Sequence, residues 1–279
     1  MPLTTTTPKP IIFTDLDGTL LDRDTYSFEP ILPALRMIRE REIPLVLSSS
    51  KTRAEIELYR RRIENEHPFI IENGGAVFIP KGYFSFSFPY DRALEEYFVL
   101  ELGVFYPVLV ETLEAIRKET GVKMRGFSDL TREELASLAG LPPQEAELAK
   151  RREFDEPFVL EGEDGEVEIV KRKIEEKGMN YVRGGRFHHL LGKNDKGKAV
   201  EILKELYENQ FFSIFTIGIG DNLNDIPMLS AVDRAIFLKD EKVFSPESLA
   251  PIQNLTLIDG IGPRAWREAM LIIFSELRD

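Results

Sequence analysis

The chain has 279 residues, of which 43% are hydrophobic and 30% charged, with a formal net charge of −12 and no cysteine. That composition excludes disulfides, thiolate metal sites and cysteine nucleophiles. It also argues against nucleic acid or an anionic membrane as the main partner, because both require a basic face. The three histidines, His67, His188 and His189, are too few and too unevenly spaced for a zinc site of the usual kind. Met1 to Pro10 is polar, dominated by threonine and proline, and lacks the apolar stretch of a signal peptide. No segment approaches the roughly 20 apolar residues of a membrane span. The expectation is a soluble, cytoplasmic protein with no nucleic-acid or membrane partner. Nothing in the pattern specifies an oligomeric state.

The first eighty residues alternate strand and helix. Ile11 to Leu16 is a short, continuously apolar run, as in a parallel strand covered on both faces. Ile31 to Arg41 carries Ile31, Leu35 and Ile38 at helical spacing. Pro44 to Leu47 is a second buried strand, ending in Ser48-Ser49-Ser50. Thr52 to Glu64 is an amphipathic helix, and Phe69 to Ile71 a third strand, which runs into Glu72-Asn73-Gly74-Gly75. The same order returns late in the chain, with a helix over Lys196 to Tyr207, a strand over Phe212 to Ile219 and the turn Asp221 to Asp225. A strand at Ala235 to Phe237 and a helix from Pro263 to Leu277 close it. Between the halves, helices at Pro107 to Glu119, Thr131 to Ala139 and Val167 to Lys177 mix with short strands such as Phe158 to Leu160 and with charge runs. The predicted fold is α/β. A doubly wound parallel-sheet core spans residues 1–83 and 191–279, with an α+β domain inserted over 84–190.

Asp15 and Asp17 end the first strand, and Asp221 and Asp225 follow a late one. Ligands of doubly wound sheets collect at the carboxyl ends of strands, so the two acidic pairs converge. Like charges are costly to bury together unless a cation or proton neutralises them. An all-oxygen set of this kind suits magnesium. The competing reading has each pair capping its own turn, as Asp and Asn commonly do. A phosphate group accounts for the remaining polar residues. Ser49 offers a hydroxyl, Gly18-Thr19 a nest of backbone N–H groups, and Lys196, which opens a helix, a positive charge. Other motifs fail. A calcium loop starting at Asp15 would place Tyr26 where glutamate is needed. Gly218-Ile219-Gly220 lacks the third glycine of a dinucleotide fingerprint. Neither a Walker lysine motif nor a Gly-x-Ser-x-Gly elbow occurs.

Asp15-Leu16-Asp17-Gly18-Thr19, Ser49, Lys196 and Gly220-Asp221-x-x-Asn224-Asp225 resemble, in order and in context, the four motifs of the haloacid dehalogenase superfamily. The insert resembles the cap of its Cof-like subgroup. More finely, Ser49-Ser50-Lys51-Thr52, Glu72-Asn73-Gly74-Gly75, Gly126-Phe127-Ser128-Asp129, Arg152 to Phe158 and Gly184-Gly185-Arg186-Phe187-His188 are similar to the mannosyl-3-phosphoglycerate phosphatases, several of these segments lying in the insert. Most superfamily members have Thr-Gly-Arg where this chain has Ser49-Ser50-Lys51.

The resemblance implies a magnesium-dependent phosphatase in which Asp15 is the nucleophile and Asp17 the general acid and base. Ser49 and Lys196 would serve the phosphate. Magnesium would be held by Asp15, the Asp17 backbone carbonyl and Asp221, with Asp225 behind them. The substrate would be a phosphorylated sugar-glycerate, with its carboxylate on Arg186 and help from Lys51. Asn73, His188 and Asn224 would contact hydroxyls or phosphate. A broader phosphatase for glucosyl-3-phosphoglycerate, hexose or sucrose phosphates, a phosphomutase, and a non-catalytic binding protein remain as alternatives.

Overall fold

A computed structural model describes residues 7–240, 246–250 and 252–277. Most of the threonine-rich start therefore lies outside the described residues. The larger sheet has nine strands, in the order 255–259, 234–239, 214–220, 9–14, 45–48, 69–71, 76–80, 97–101, 92–93. The first six run parallel, and the last three continue as an antiparallel extension.

The continuous apolar runs are explained by a sheet covered on both faces. Along Lys9–Thr14, Ile12 packs with Leu45, Leu47, Phe69 and Trp266 on one face. Ile11 and Phe13 pack with Val46, Ile70, Ala199 and Leu203 on the other. Both helices that bear on the site start at side-chain caps. Thr52 and Glu55 form a reciprocal capping box at the start of Arg53–Arg62. Asp195 accepts from the Lys198 N–H at the start of Lys196–Phe211. Lys196 is thus the first residue of its helix, and its side chain leans back past the helix start.

The inserted unit is a four-stranded antiparallel sheet in the order Met124–Gly126, Asp155–Leu160, His188–Leu191, Asn180–Arg183. Helices Tyr106–Thr120 and Asp164–Glu176 cover one face of it. A helical pair, Arg132–Ala139 and Pro143–Ala149, packs with Phe127, Leu130 and Phe187 and leans on the core. It does so through Thr52 Oγ1 to the Leu148 carbonyl (3.0 Å) and Tyr59 Oη to Glu145 (3.1 Å).

Residues 84–103 do not follow the predicted boundary. Strands Arg92–Ala93 and Tyr97–Glu101 hydrogen-bond onto the core sheet, and Phe84, Phe86 and Phe88 pack into the core cluster that holds Tyr207. The insert therefore departs after Gly103, and Leu191 still belongs to its sheet. The misplacement has a simple source, since the antiparallel extension carries no intervening helix to mark it as part of the βαβ pattern.

Where core and insert join, Glu72, Asn73 and Gly74 all adopt positive φ (47°, 55° and 82°). A Cβ on Gly74 would run into the Asp195 carbonyl, so only glycine lets this turn lie against the start of the Lys196 helix. Glu72 is fully buried and accepts from the Glu153 N–H (3.0 Å) and Phe154 N–H (2.7 Å), with the Arg152 guanidinium 3.7 Å away. Phe154 fills the space left by Gly75 and Gly103.

Two predictions follow from this junction. Gly74→Ala should lower unfolding stability by at least about 1–3 kcal/mol in urea titrations, the range for strained backbone. Unchanged stability would show that the turn can move aside. Burial pushes the Glu72 carboxyl up to about 8, and Arg152 and the two N–H donors only partly oppose this. Below pH 4.5, the ordinary glutamate value, both folded and unfolded states hold the proton. Between there and about pH 8 the unfolded chain releases it first, so this contribution to stability is lost as pH rises. Glu72→Gln lacks the titration, and its stability relative to the parent should rise across that window. A difference constant with pH would contradict the assignment.

Candidate active site

The register of the central strands builds the site. Thr14 lies beside Ile219, and the Asp15 N–H donates to the Ile219 carbonyl at 2.9 Å. Asp15 and Asp221 are thereby brought to one sheet edge. The short turn after Asp221 returns Asp225 beneath them. One carboxylate oxygen from each of Asp15, Asp221 and Asp225 lies within 4.8 Å of the others, and all three residues are buried. Lys196, fully buried, places Nζ 2.5 Å from Asp15 Oδ1 and 2.6 Å from Asp225 Oδ1.

The capping and clustering readings of Asp225 both hold. Its Oδ2 accepts from the Asp221 and Asn222 N–H groups (3.1 and 3.0 Å), while Oδ1 takes the lysine. Asp221 is fixed by Thr19 Oγ1 at 2.8 Å and by Arg23 Nη2 at 3.0 Å.

Three buried carboxylates outnumber the two cations that meet them, Lys196 and the partly exposed Arg23. Burial raises the Asp15 carboxyl well above its ordinary value, with Lys196 opposing and Asp225 and Asp221 adding to the rise. Burial, followed by the Asp225 charge, lifts Asp221 to about 7. Burial alone would lower the Lys196 ammonium, but Asp15 and Asp225 hold it above its usual range. The excess negative charge and the all-oxygen donors fit a hard divalent cation. Gly18 keeps the approach open, because a Cβ there would sit 2.5 Å from Asp221 Oδ2.

Asp17 stands apart from this cluster. Its Oδ2 pairs with Lys51 Nζ at 3.0 Å, and its Oδ1 is buried without a partner. Lys51 also reaches Glu55 at 3.5 Å and lies over the Tyr26 ring at 4.9 Å. Asp15 and Asp17 line one cleft between core and insert, together with Arg23, Tyr26, Lys51, Asp221 and Asn224. The insert's contribution includes Phe127, Arg152, Gly184, Arg186, Phe187 and His189.

The remaining sequence candidates divide. Ser49 is buried at its strand end and accepts from the Lys51 N–H at 3.2 Å, which leaves its hydroxyl hydrogen to donate. Ser50, not Ser49, appears in the cleft wall. Arg186 lines the cleft but already donates to the Ala139 carbonyl, the Arg23 carbonyl (2.9 Å) and Asp24 Oδ1 (3.1 Å). Asn73 is outside the cleft wall. Its amide nitrogen donates to Asp155 at 2.9 Å, and its oxygen accepts from Asn224 at 3.1 Å. It therefore bridges core and insert.

His188 is not a cleft residue either. It stacks on Phe158 (5.3 Å between centroids), and its Nδ1 meets the Tyr181 hydroxyl at 2.6 Å. Successive strand residues face opposite sides of a sheet, so its neighbour His189 points into the cleft instead. His189 Nδ1 lies 2.8 Å from Asp155 Oδ2. Arg152 Nη2 approaches the same oxygen at 3.0 Å. Burial alone would raise the Asp155 carboxyl, but His189 and Arg152 hold it below its ordinary value. Sequence reasoning singled out neither His189 nor Asp155. The signal available was strand alternation, together with an ionised residue inside the segment Asp155–Leu160.

Comparison with known proteins agrees with this architecture. Residues 12–99 match a family model described as haloacid dehalogenase-like hydrolase. The chain is 46% identical over 269 residues to a glucosyl-3-phosphoglycerate/mannosyl-3-phosphoglycerate phosphatase of Methanococcoides burtonii, covering 96% of this chain and 98% of that one. It is 37% identical to a mannosyl-3-phosphoglycerate phosphatase of Pyrococcus furiosus, over 88% of this chain and 97% of that one. Among solved structures, the subclass IIB sugar phosphatase BT4131 of the same superfamily superposes with a TM-score of 0.62. The sequence identity is 16%, over 95% of this chain and 98% of that one, a likeness of fold. The chain belongs to the haloacid dehalogenase-like hydrolases and is a phosphoric monoester hydrolase.

Proposed function

We propose that the chain releases phosphate from mannosyl-3-phosphoglycerate, using Asp15 as nucleophile with magnesium in the carboxylate cluster. The observation that carries this reading is the buried Lys196 ammonium bridging Asp15 and Asp225, with Asp221 beside them, under a cleft that Asp17 enters separately. The names of the relatives support the substrate class, and two of them are named for the glucosyl as well as the mannosyl ester.

In the first step an Asp15 carboxylate oxygen attacks phosphorus, and the bond to the glycerate oxygen breaks. Asp17 gives its proton to the departing alkoxide. Asp17 then takes a proton from water as the water attacks the aspartyl-phosphate, and Asp15 returns as a carboxylate with inorganic phosphate released. Lys196 offsets the approach of one anion to another, while Ser49 directs its hydroxyl at the phosphoryl oxygens. The expected Gly18-Thr19 nest is spent inside its own turn, Gly18 N–H donating to the Leu21 carbonyl (2.9 Å) and Thr19 N–H to the Leu16 carbonyl (3.2 Å). Asp15, the Asp17 carbonyl and Asp221 would hold the magnesium, with Asp225 behind. Bound there, it supplies positive charge where carboxylate and phosphate meet. Arg186 takes the glycerate carboxylate by exchanging Asp24 for it, with Lys51 close by.

Phosphate release should be fast from mannosyl- and glucosyl-3-phosphoglycerate with magnesium and should fall to background with EDTA. Asp15→Asn should lose at least about 10³-fold in kcat, as expected when a nucleophile is removed. Hexose phosphates turned over as well as the glycosyl-phosphoglycerates would contradict the substrate assignment. Arg186→Ala should raise KM for the glycosyl-phosphoglycerate about 10–100-fold, the size of a lost charged hydrogen bond. An unchanged KM would remove Arg186 from carboxylate binding.

A further inference from the structure

One side chain of the cleft is built more deliberately than its neighbours and has no role in the chemistry above. His189 is 5% exposed. Its strand pairs antiparallel with Asp155–Leu160, with His189 opposite Pro157 and Leu191 opposite Asp155. Asp155 and His189 are therefore diagonal neighbours on one face, the face turned to the cleft.

Asp155 is fully buried and held from three sides, by Arg152 Nη2 (3.0 Å), Asn73 Nδ2 (2.9 Å) and His189 Nδ1 (2.8 Å). A carboxylate so placed accepts the Nδ1 proton, fixes the ring plane and leaves Nε2 for a ligand. Nε2 has no hydrogen-bond partner among the described residues. It borders Gly184, another cleft residue, where a Cβ would lie 2.8 Å from it. Glycine at 184 thus keeps that nitrogen uncovered.

The other polar groups of the cleft are committed differently. Lys51 is paired with Asp17 and Glu55, and Arg152 with Asp155 and the Ser50 carbonyl. A ring nitrogen so oriented suits a hydroxyl, since the phosphate and carboxylate already have their own cationic groups in Lys196 and Arg186. We propose that His189, oriented by Asp155, accepts a hydrogen bond at Nε2 from a hydroxyl of the substrate's sugar and so discriminates glycosylated from unglycosylated phosphoglycerate. This rests on the substrate class proposed above. Asn73 joins Asp155 of the insert to Asn224 of the core, which ties the position of this ring nitrogen to the core.

The test is the selectivity ratio, kcat/KM for mannosyl-3-phosphoglycerate over kcat/KM for 3-phosphoglycerate, in the full-length protein with magnesium. His189→Ala should lower that ratio about 10–100-fold, because a site built to pair a hydroxyl discriminates through that pair. His189→Gln, whose carboxamide oxygen reaches the position of Nε2, should restore most of it. A ratio within about twofold of the parent in His189→Ala, or no recovery in His189→Gln, would overturn the proposal. A parent enzyme that does not distinguish the two substrates would instead overturn the substrate class, and this inference with it.

Discussion

The buried ammonium of Lys196 is the constraint on which the active end of the molecule depends. Asp15 and the Asp221–Asp225 turn come from segments distant in sequence and meet because the parallel sheet aligns its strand ends. Without a cation among them their mutual repulsion would add to the cost of burial. Removing one partner of a buried pair typically costs about 3–5 kcal/mol, since the remaining charge stays behind. Lys196 meets this need from the first position of a helix that Asp195 caps and that Gly74 allows to lie close. Local capping, a left-handed turn and a long-range ion pair thus set one position together.

A second set of buried polar groups governs the other wall. Glu72, Arg152, Asp155 and His189 run across the junction between core and insert, and each is paired inside the fold. The insert is fastened at its base, and its helical pair meets the core through hydrogen bonds from Thr52, Tyr59 and Tyr26 and an Arg62–Glu145 ion pair. Lids of this kind gate substrate entry in many enzymes. Here the fastening also fixes the side chains of the cleft wall, so under the proposed function the two systems would divide the labour, one serving the phosphoryl group and the other the rest of the substrate.

Much of the core was legible because its signals are local and costly to imitate. Asp15 and Asp17 interrupt an apolar run, and Lys196 opens a helix just ahead of the unit bearing Asp221 and Asp225. Each of these is visible in a short window. The insert was less legible for physical reasons. Choosing His188 over His189 needs the register of the strand, because a shift of one residue exchanges the faces. Asn73 looked like a ligand because it follows a strand end, but its positive φ turns it toward Asp155. The aromatic segment 84–103 read as insert because alternation alone does not say which sheet a strand joins. Asp155 carries no sequence mark of its three partners, all of them remote in space until the chain folds.

If Asp15 carries the phosphoryl group during turnover, rapid acid quench followed by mass spectrometry of the peptide that contains it will show it there. With mannosyl-3-phosphoglycerate and magnesium, the peptide holding Asp15 should acquire one phosphoryl group before free phosphate accumulates, and the label should be absent in Asp15→Asn. Phosphate release that keeps its rate with no phosphoryl group on Asp15 at any quench time would rule out Asp15 as the nucleophile.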